Sequence, residues 1–113
     1  MSEPQAIYHT SESERQALLV EALLRSGALV IRVNSGRSHN IPWVRWGCLT
    51  TGWKAAGVSD LIAIFPDGEI IFCEVKAIQG RYSDEQDTFR YELEQRGAKY
   101  LTVEQVYKYL EGK

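Results

Sequence analysis

The stretch Ser59-Asp60-Leu61-Ile62-Ala63-Ile64-Phe65, followed by Pro66-Asp67-Gly68 and then Glu69-Ile70-Ile71-Phe72-Cys73-Glu74-Val75-Lys76, reads as a buried β-hairpin with charges at its open end. Both arms are dense in Ile, Leu, Phe and Val without polar alternation, the pattern of strands covered on both faces, so they belong in the middle of a sheet. Pro66 sets φ and Asp67-Gly68 accepts positive φ, so the arms fold back antiparallel. Counting outward from the turn pairs Asp60 with Glu74 or, one register over, with Val75. Side chains alternate along a strand, so Glu74 and Lys76 share a face while Val75 points away and leaves its carbonyl near Asp60.

Two carboxylates about 4 Å apart repel by roughly 1 kcal/mol in water and about 4 kcal/mol where partly desolvated. A divalent hard cation offsets this directly. Mg²⁺ characteristically takes one or two carboxylates, accepts a carbonyl, and keeps several waters. Such an ion activates water and holds a phosphoryl oxygen, while the adjacent Lys76 orients attack and neutralises developing charge. The implied chemistry is phosphodiester hydrolysis with Asp60, Glu74 and the Val75 carbonyl on the metal. The structural alternative makes Asp60 a strand-start residue and Glu74 a partner for Lys76.

The chain has 113 residues, 44% of them apolar, and no long Pro/Gly/Ser run, which predicts one domain over 1–113. No stretch reaches the length of a membrane span and the N-terminus has no signal-peptide pattern, which leads us to expect a soluble intracellular protein. Cys48 and Cys73 lack zinc or redox spacing and read as reduced, mostly buried thiols. His9 and His39 are isolated, which removes zinc and Ser-His schemes, and no glycine-rich phosphate loop calls for a nucleotide cofactor.

The formal charge is −2, but its distribution is uneven. From Ala22 through Ser59 there is no acid, while Arg25, Arg32, Arg37, Arg45 and Lys54 interleave with Trp43, Trp46 and Trp53. We take Arg32, Arg37, Arg45, Trp43, Trp46 and Lys54 as candidate nucleic-acid contacts, since cations meet phosphates and indoles stack on exposed bases. Equally, the tryptophans would suit a core or a dimer interface, with the arginines serving only to keep the surface soluble.

Ser11 caps a helix that carries Ala17 to Leu24 and ends near Gly27. Ala28 to Val33 reads as a strand, and 34–56 as an insert of loop with a short hairpin. Ser83 opens a second helix stopped at Gly97, Lys99 to Val103 forms another strand, and Glu104 to Glu111 a terminal helix. The order predicts an α/β fold, a mixed central sheet with helices on both faces. On the first helix Glu12, Gln16, Leu19 and Leu23 form one stripe, which makes Glu12 a candidate for reaching a metal-bound water. Gln86 completes a capping box with Ser83 and also lines up with the inward-facing Phe89 and Leu93, so either role is open to it.

Together, Ser11-Glu12-x-x-x-Gln16, Asn34-Ser35-Gly36, Gly57-Val58-Ser59-Asp60-Leu61-Ile62, Glu74-Val75-Lys76, Ser83-x-x-Gln86 and Gly97-x-x-Tyr100 resemble the PD-(D/E)XK nuclease superfamily, and within it the VRR-NUC group. Ser59 stands where the superfamily often has Pro. The resemblance implies a restriction-endonuclease-like core and a Mg²⁺- or Mn²⁺-dependent nuclease. Asp60, Glu74 and the Val75 carbonyl would be ligands, Lys76 would activate water, and Glu12 and Gln86 would act in support, Glu12 toward the metal. Resemblance and size further imply a homodimer that cuts branched DNA, as a Holliday-junction resolvase does. The competing expectations are a nonspecific or restriction-type nuclease, a non-catalytic DNA-binding subunit, and a structural protein with no nucleic-acid role.

Overall fold

A computed structural model describes residues 5, 11–33, 44–54, 57–77 and 80–113. The hairpin forms as expected: β4 (Leu61–Ile64) and β5 (Ile70–Cys73) pair antiparallel, with Leu61 opposite Cys73 and Ile64 opposite Ile70. The Phe65 amide donates to the Glu69 carbonyl at 2.8 Å to close the turn, Gly68 takes a φ of +87°, and the Asp67 carboxylate accepts from the Glu69 amide at 2.9 Å. Such an Asp-Gly turn sets the strand register.

Two further strands flank this pair. β1 (Leu29–Arg32) lies antiparallel to β4, and β6 (Lys99–Leu101) runs parallel to β5, so the sheet order is β1-β4-β5-β6 and the hairpin is central. β2 (Trp46–Cys48) and β3 (Gly52–Lys54) make a separate two-stranded ribbon, the short hairpin expected within the insert. The rest of that insert up to Trp43, including Arg37, lies outside the described residues.

The helices are α1 (Glu12–Arg25), α2 (Asp84–Gln95) and α3 (Val103–Glu111), opened by Ser11, Ser83 and Thr102 caps. Val103 was expected to end a strand. It begins α3 instead, because Thr102 forms a reciprocal capping box with Gln105 and turns Val103 into the core.

Alternation sorts the sheet's side chains between two cores. Leu61, Ala63, Ile71, Cys73 and Val75 pack with Leu19 and Leu23 of α1 and Val103 and Val106 of α3. On the other face Phe72 and Tyr100 meet Phe89 of α2, together with Val58 and Trp46. Each fully buried Leu or Val contributes about 1.5–3 kcal/mol, which holds the open end of the hairpin rigidly between α2 and the start of α3. No helix among the described residues is long and apolar enough to cross a membrane.

Gly57 shows how tightly that end is held. Its φ is +101°, and a Cβ there would run into the Glu85 carbonyl at the start of α2. Gly57→Ala should therefore cost at least about 2 kcal/mol from strain and overpacking, read as a lowered midpoint in a thermal melt. A substitution without effect would show that the approach of α2 to this segment is loose.

Candidate active site

The strand register, extended one residue past β4 and β5, sets Asp60 opposite Glu74, the first of the two pairings the turn allowed. The ends are stitched crosswise: the Asp60 amide donates to Glu74 Oε2 at 3.2 Å, and the Val75 amide donates to Asp60 Oδ2 at 3.0 Å. Both acids thus lie on the α2 face, while Val75 is fully buried in the opposite core. Gln86 performs both of its possible roles, capping α2 with Ser83 and donating from Nε2 to Glu74 Oε1 at 2.6 Å.

Glu74 is 3% exposed. Burial first, then the charge of Asp60 and a hydrogen bond to its side chain, push the Glu74 carboxyl up to about 9, against the smaller opposing pull of the Lys76 ammonium. The acid pair therefore holds a proton near neutral pH. Its neighbour Cys73 is a buried free thiol pushed up to about 12 by desolvation and the Glu74 charge, which makes it inert. Cys48, also free, is only half-buried on the β2–β3 ribbon.

Glu74 and Lys76 open onto one cavity of about 120 Å³, walled also by Arg15, Tyr82, Thr102 and Glu104. The Lys76 ammonium lies 6.0 Å from the centre of the Tyr82 ring. Arg15, 3% exposed, bonds Glu104 at 2.6 Å and so ties α1 to the start of α3. The sequence reading missed Arg15, although its spacing of four from Leu19, itself four from Leu23, was the available signal. That line and the one through Glu12 share Leu19 and Leu23, and it is Arg15 that continues the buried face: Gln16 is half-buried and Glu12 exposed.

Among the described residues no group of three or more His, Cys, Asp or Glu forms, so Glu12 is not gathered with Asp60 and Glu74. Two carboxylates sharing a proton are still a donor set that suits a hard divalent cation, which replaces the proton and leaves its other positions to carbonyl or solvent oxygen. Tyr100 adds a second fitting feature. Its hydroxyl is buried without a hydrogen-bond partner among the described residues, in a ring site that feels the charges of Glu74 and Asp60.

The candidate nucleic-acid residues divide. Arg45 and Lys54 are exposed on or beside the β2–β3 ribbon. Arg32 is exposed at the end of β1, and with the Gln16 amide turned to accept, its Nε and Nη2 donate to it at 2.7 and 2.9 Å. Trp46 turns inward, its ring 5.1 Å from Phe89 in an edge-on contact, because the ribbon buries that face on α2. Arg37 and Trp43 fall outside the described residues.

No family model matches the chain, and no curated protein matches it. A solved structure described as a "VRR_NUC domain" is similar to it at 27% identity, with a TM-score of 0.64, covering 91% of this chain and 97% of that one. With its mixed four-stranded sheet, helices on both faces and acid pair at the open end of the central hairpin, the chain has the restriction-endonuclease-like nuclease fold of a VRR-NUC domain.

Proposed function

We propose that the protein is a metal-dependent, structure-selective endodeoxyribonuclease that hydrolyses phosphodiester bonds in branched DNA, acting as a homodimeric Holliday-junction resolvase. The observation that carries this reading is the Asp60–Glu74 pair, crosswise bonded at the open end of the central hairpin, with Glu74 sharing a cavity with Lys76. Mg²⁺ or Mn²⁺, held by Asp60, Glu74 and the Val75 carbonyl, would supply positive charge to a phosphoryl oxygen and acidity to a water. Gln86 fixes the Glu74 carboxylate in place. Lys76 orients the attacking water and offsets charge that develops on the phosphoryl oxygens. Arg32, Arg45 and Lys54, with Arg37, supply phosphate contacts that hold the strand.

A homodimer is supported by the half of the sheet that α2 leaves uncovered. There Leu29, Ile31 and Ile70 are 59%, 43% and 44% exposed, with Ile62 and Ile64 half-buried between them. By alternation these five aliphatic side chains share the face of Asp60 and Glu74. They form a charge-free patch suited to the centre of an interface of about 800 Å² per partner. A two-fold pair brings two active sites to one junction.

Cleavage of a four-way junction and of linear duplex of the same sequence, with Mg²⁺, Mn²⁺ or chelator, tests the reading. Paired cuts across the junction at least about tenfold faster than cuts in the duplex, and none in chelator, are expected. Equal rates would make the protein a nonspecific or restriction-type nuclease, and binding without cutting on any substrate a non-catalytic subunit. Ile31→Glu, at an exposed position, should yield a monomer by light scattering; an unchanged mass would move the interface elsewhere.

A further inference from the structure

The β2–β3 ribbon has two unlike faces. Its inner face carries Trp46 onto Phe89. On the outer face Trp53 sits across Gly47, where a Cβ would come within 3.0 Å of the Trp53 ring and 2.7 Å of the Gly52 carbonyl oxygen. Glycine at 47 therefore lets the indole lie against the ribbon. Trp53 is nevertheless 71% exposed, Leu49 in the turn is fully exposed, and the Arg45 guanidinium stands 5.9 Å from the Trp53 ring centre. A braced indole displayed beside a guanidinium is a binding feature rather than packing.

The charges select its occupant. Arg45 is exposed on this face and Lys54 at the ribbon's end on the other, and no acid occurs between Glu21 and Asp60 in the sequence, so the segment favours a polyanion. The flat π-face favours a partner with a free ring to stack, which a fully paired duplex does not offer and an unpaired base does. Trp53 precedes Asp60 by seven positions, so it lies within about 25 Å of the acid pair along even a fully extended chain. That is at most about seven base steps of duplex.

We infer that Trp53, with Arg45 beside its ring, is a stacking platform for an unpaired base of DNA close to the cleaved phosphate, and that it contributes to selectivity for branched over paired substrate. The choice of DNA as partner rests on the nuclease reading above. The residue assignment is independent of the cleavage chemistry.

Binding of fluorescein-labelled DNA to the full chain tests this, in Ca²⁺ so that an oxygen-seeking cation is present. Trp53→Ala should weaken binding of a bulged duplex about 5- to 150-fold while changing the fully paired duplex less than about twofold. Trp53→Phe, which keeps a π-face, should recover most of the loss. Arg45→Ala and Lys54→Ala should instead weaken both DNAs alike and flatten their salt dependence. Unaltered or equal losses on the two DNAs for Trp53→Ala would overturn the platform. So would conversion of a dimer to a monomer by that substitution, which would make the indole a seat for a second copy. Wild-type protein that binds bulged DNA but cuts nothing overturns the nuclease reading alone, whereas normal cutting and selectivity by Trp53→Ala overturns the platform alone.

Discussion

Replacing Asp60 with Asn, or Lys76 with Ala, is expected to lower the rate of branched-DNA cleavage by at least about a thousandfold while leaving the fold and DNA binding nearly intact. Asp60→Asn keeps a side-chain oxygen able to accept from the Val75 amide, which Asp60 now does at 3.0 Å, so the end of the hairpin stays closed. What disappears is the negative charge that, with Glu74, would hold a divalent cation. Lys76 is only half-buried and belongs to neither apolar core, so its truncation removes an ammonium and little packing. Single-turnover cleavage, a melting curve and DNA affinity in Ca²⁺ separate the effects. Cleavage at the parental rate by both variants would remove these residues from the chemistry.

Glu74→Gln should have two effects of opposite sign: cleavage is lost, but the metal-free protein gains stability at alkaline pH. Burial and the neighbouring Asp60 charge raise the Glu74 carboxyl from its ordinary 4.5 to about 9. Between those values the folded protein binds more protons than the unfolded chain, so stability falls as pH rises. The contribution is fully present below about 4.5 and is lost as pH climbs toward about 9. Glutamine is uncharged at every pH and removes the repulsion with Asp60, at the cost of one of the two oxygens that now accept from the Asp60 amide and from Gln86 Nε2. Replacing a buried charge in this way can stabilise by about 1–4 kcal/mol, which would raise the melting temperature at pH about 8 by several degrees. Melts from pH about 5 to 9, with and without Mg²⁺, provide the check. The parent should lose stability with pH and regain it with Mg²⁺, and Glu74→Gln should do neither. A Gln variant less stable than the parent at high pH would show that the two acids are not in conflict.

The acid pair illustrates how far residue order carries. Unbroken apolar arms and a Pro-Asp-Gly turn made β4 and β5 legible as a central hairpin, since turn chemistry acts over a few bonds. The Ser11 and Ser83 caps were legible for the same reason, and so was the choice open to Gln86 between capping and facing inward; its bond to Glu74 came from the tertiary structure. The Thr102 cap is equally local, yet the β-rich run before it hid the start of α3.

Other features were settled by packing over long range. The turn allowed Asp60 to face Glu74 or Val75, and the two cores on either face of the sheet selected the former, since a slip of one residue would carry every apolar side chain of a strand to the wrong side. Arg15 sits in a helical turn of ordinary surface character, and is buried only because α3 brings Glu104 to it from 89 residues away. Trp46 and Trp53 stand in equally cationic sequence; the docking of α2 against one face of their ribbon is what turns the first into core and leaves the second in water. Strands, turns and caps arise from neighbours in the chain and are written there, whereas burial of a charge or display of a ring depends on which distant surfaces meet.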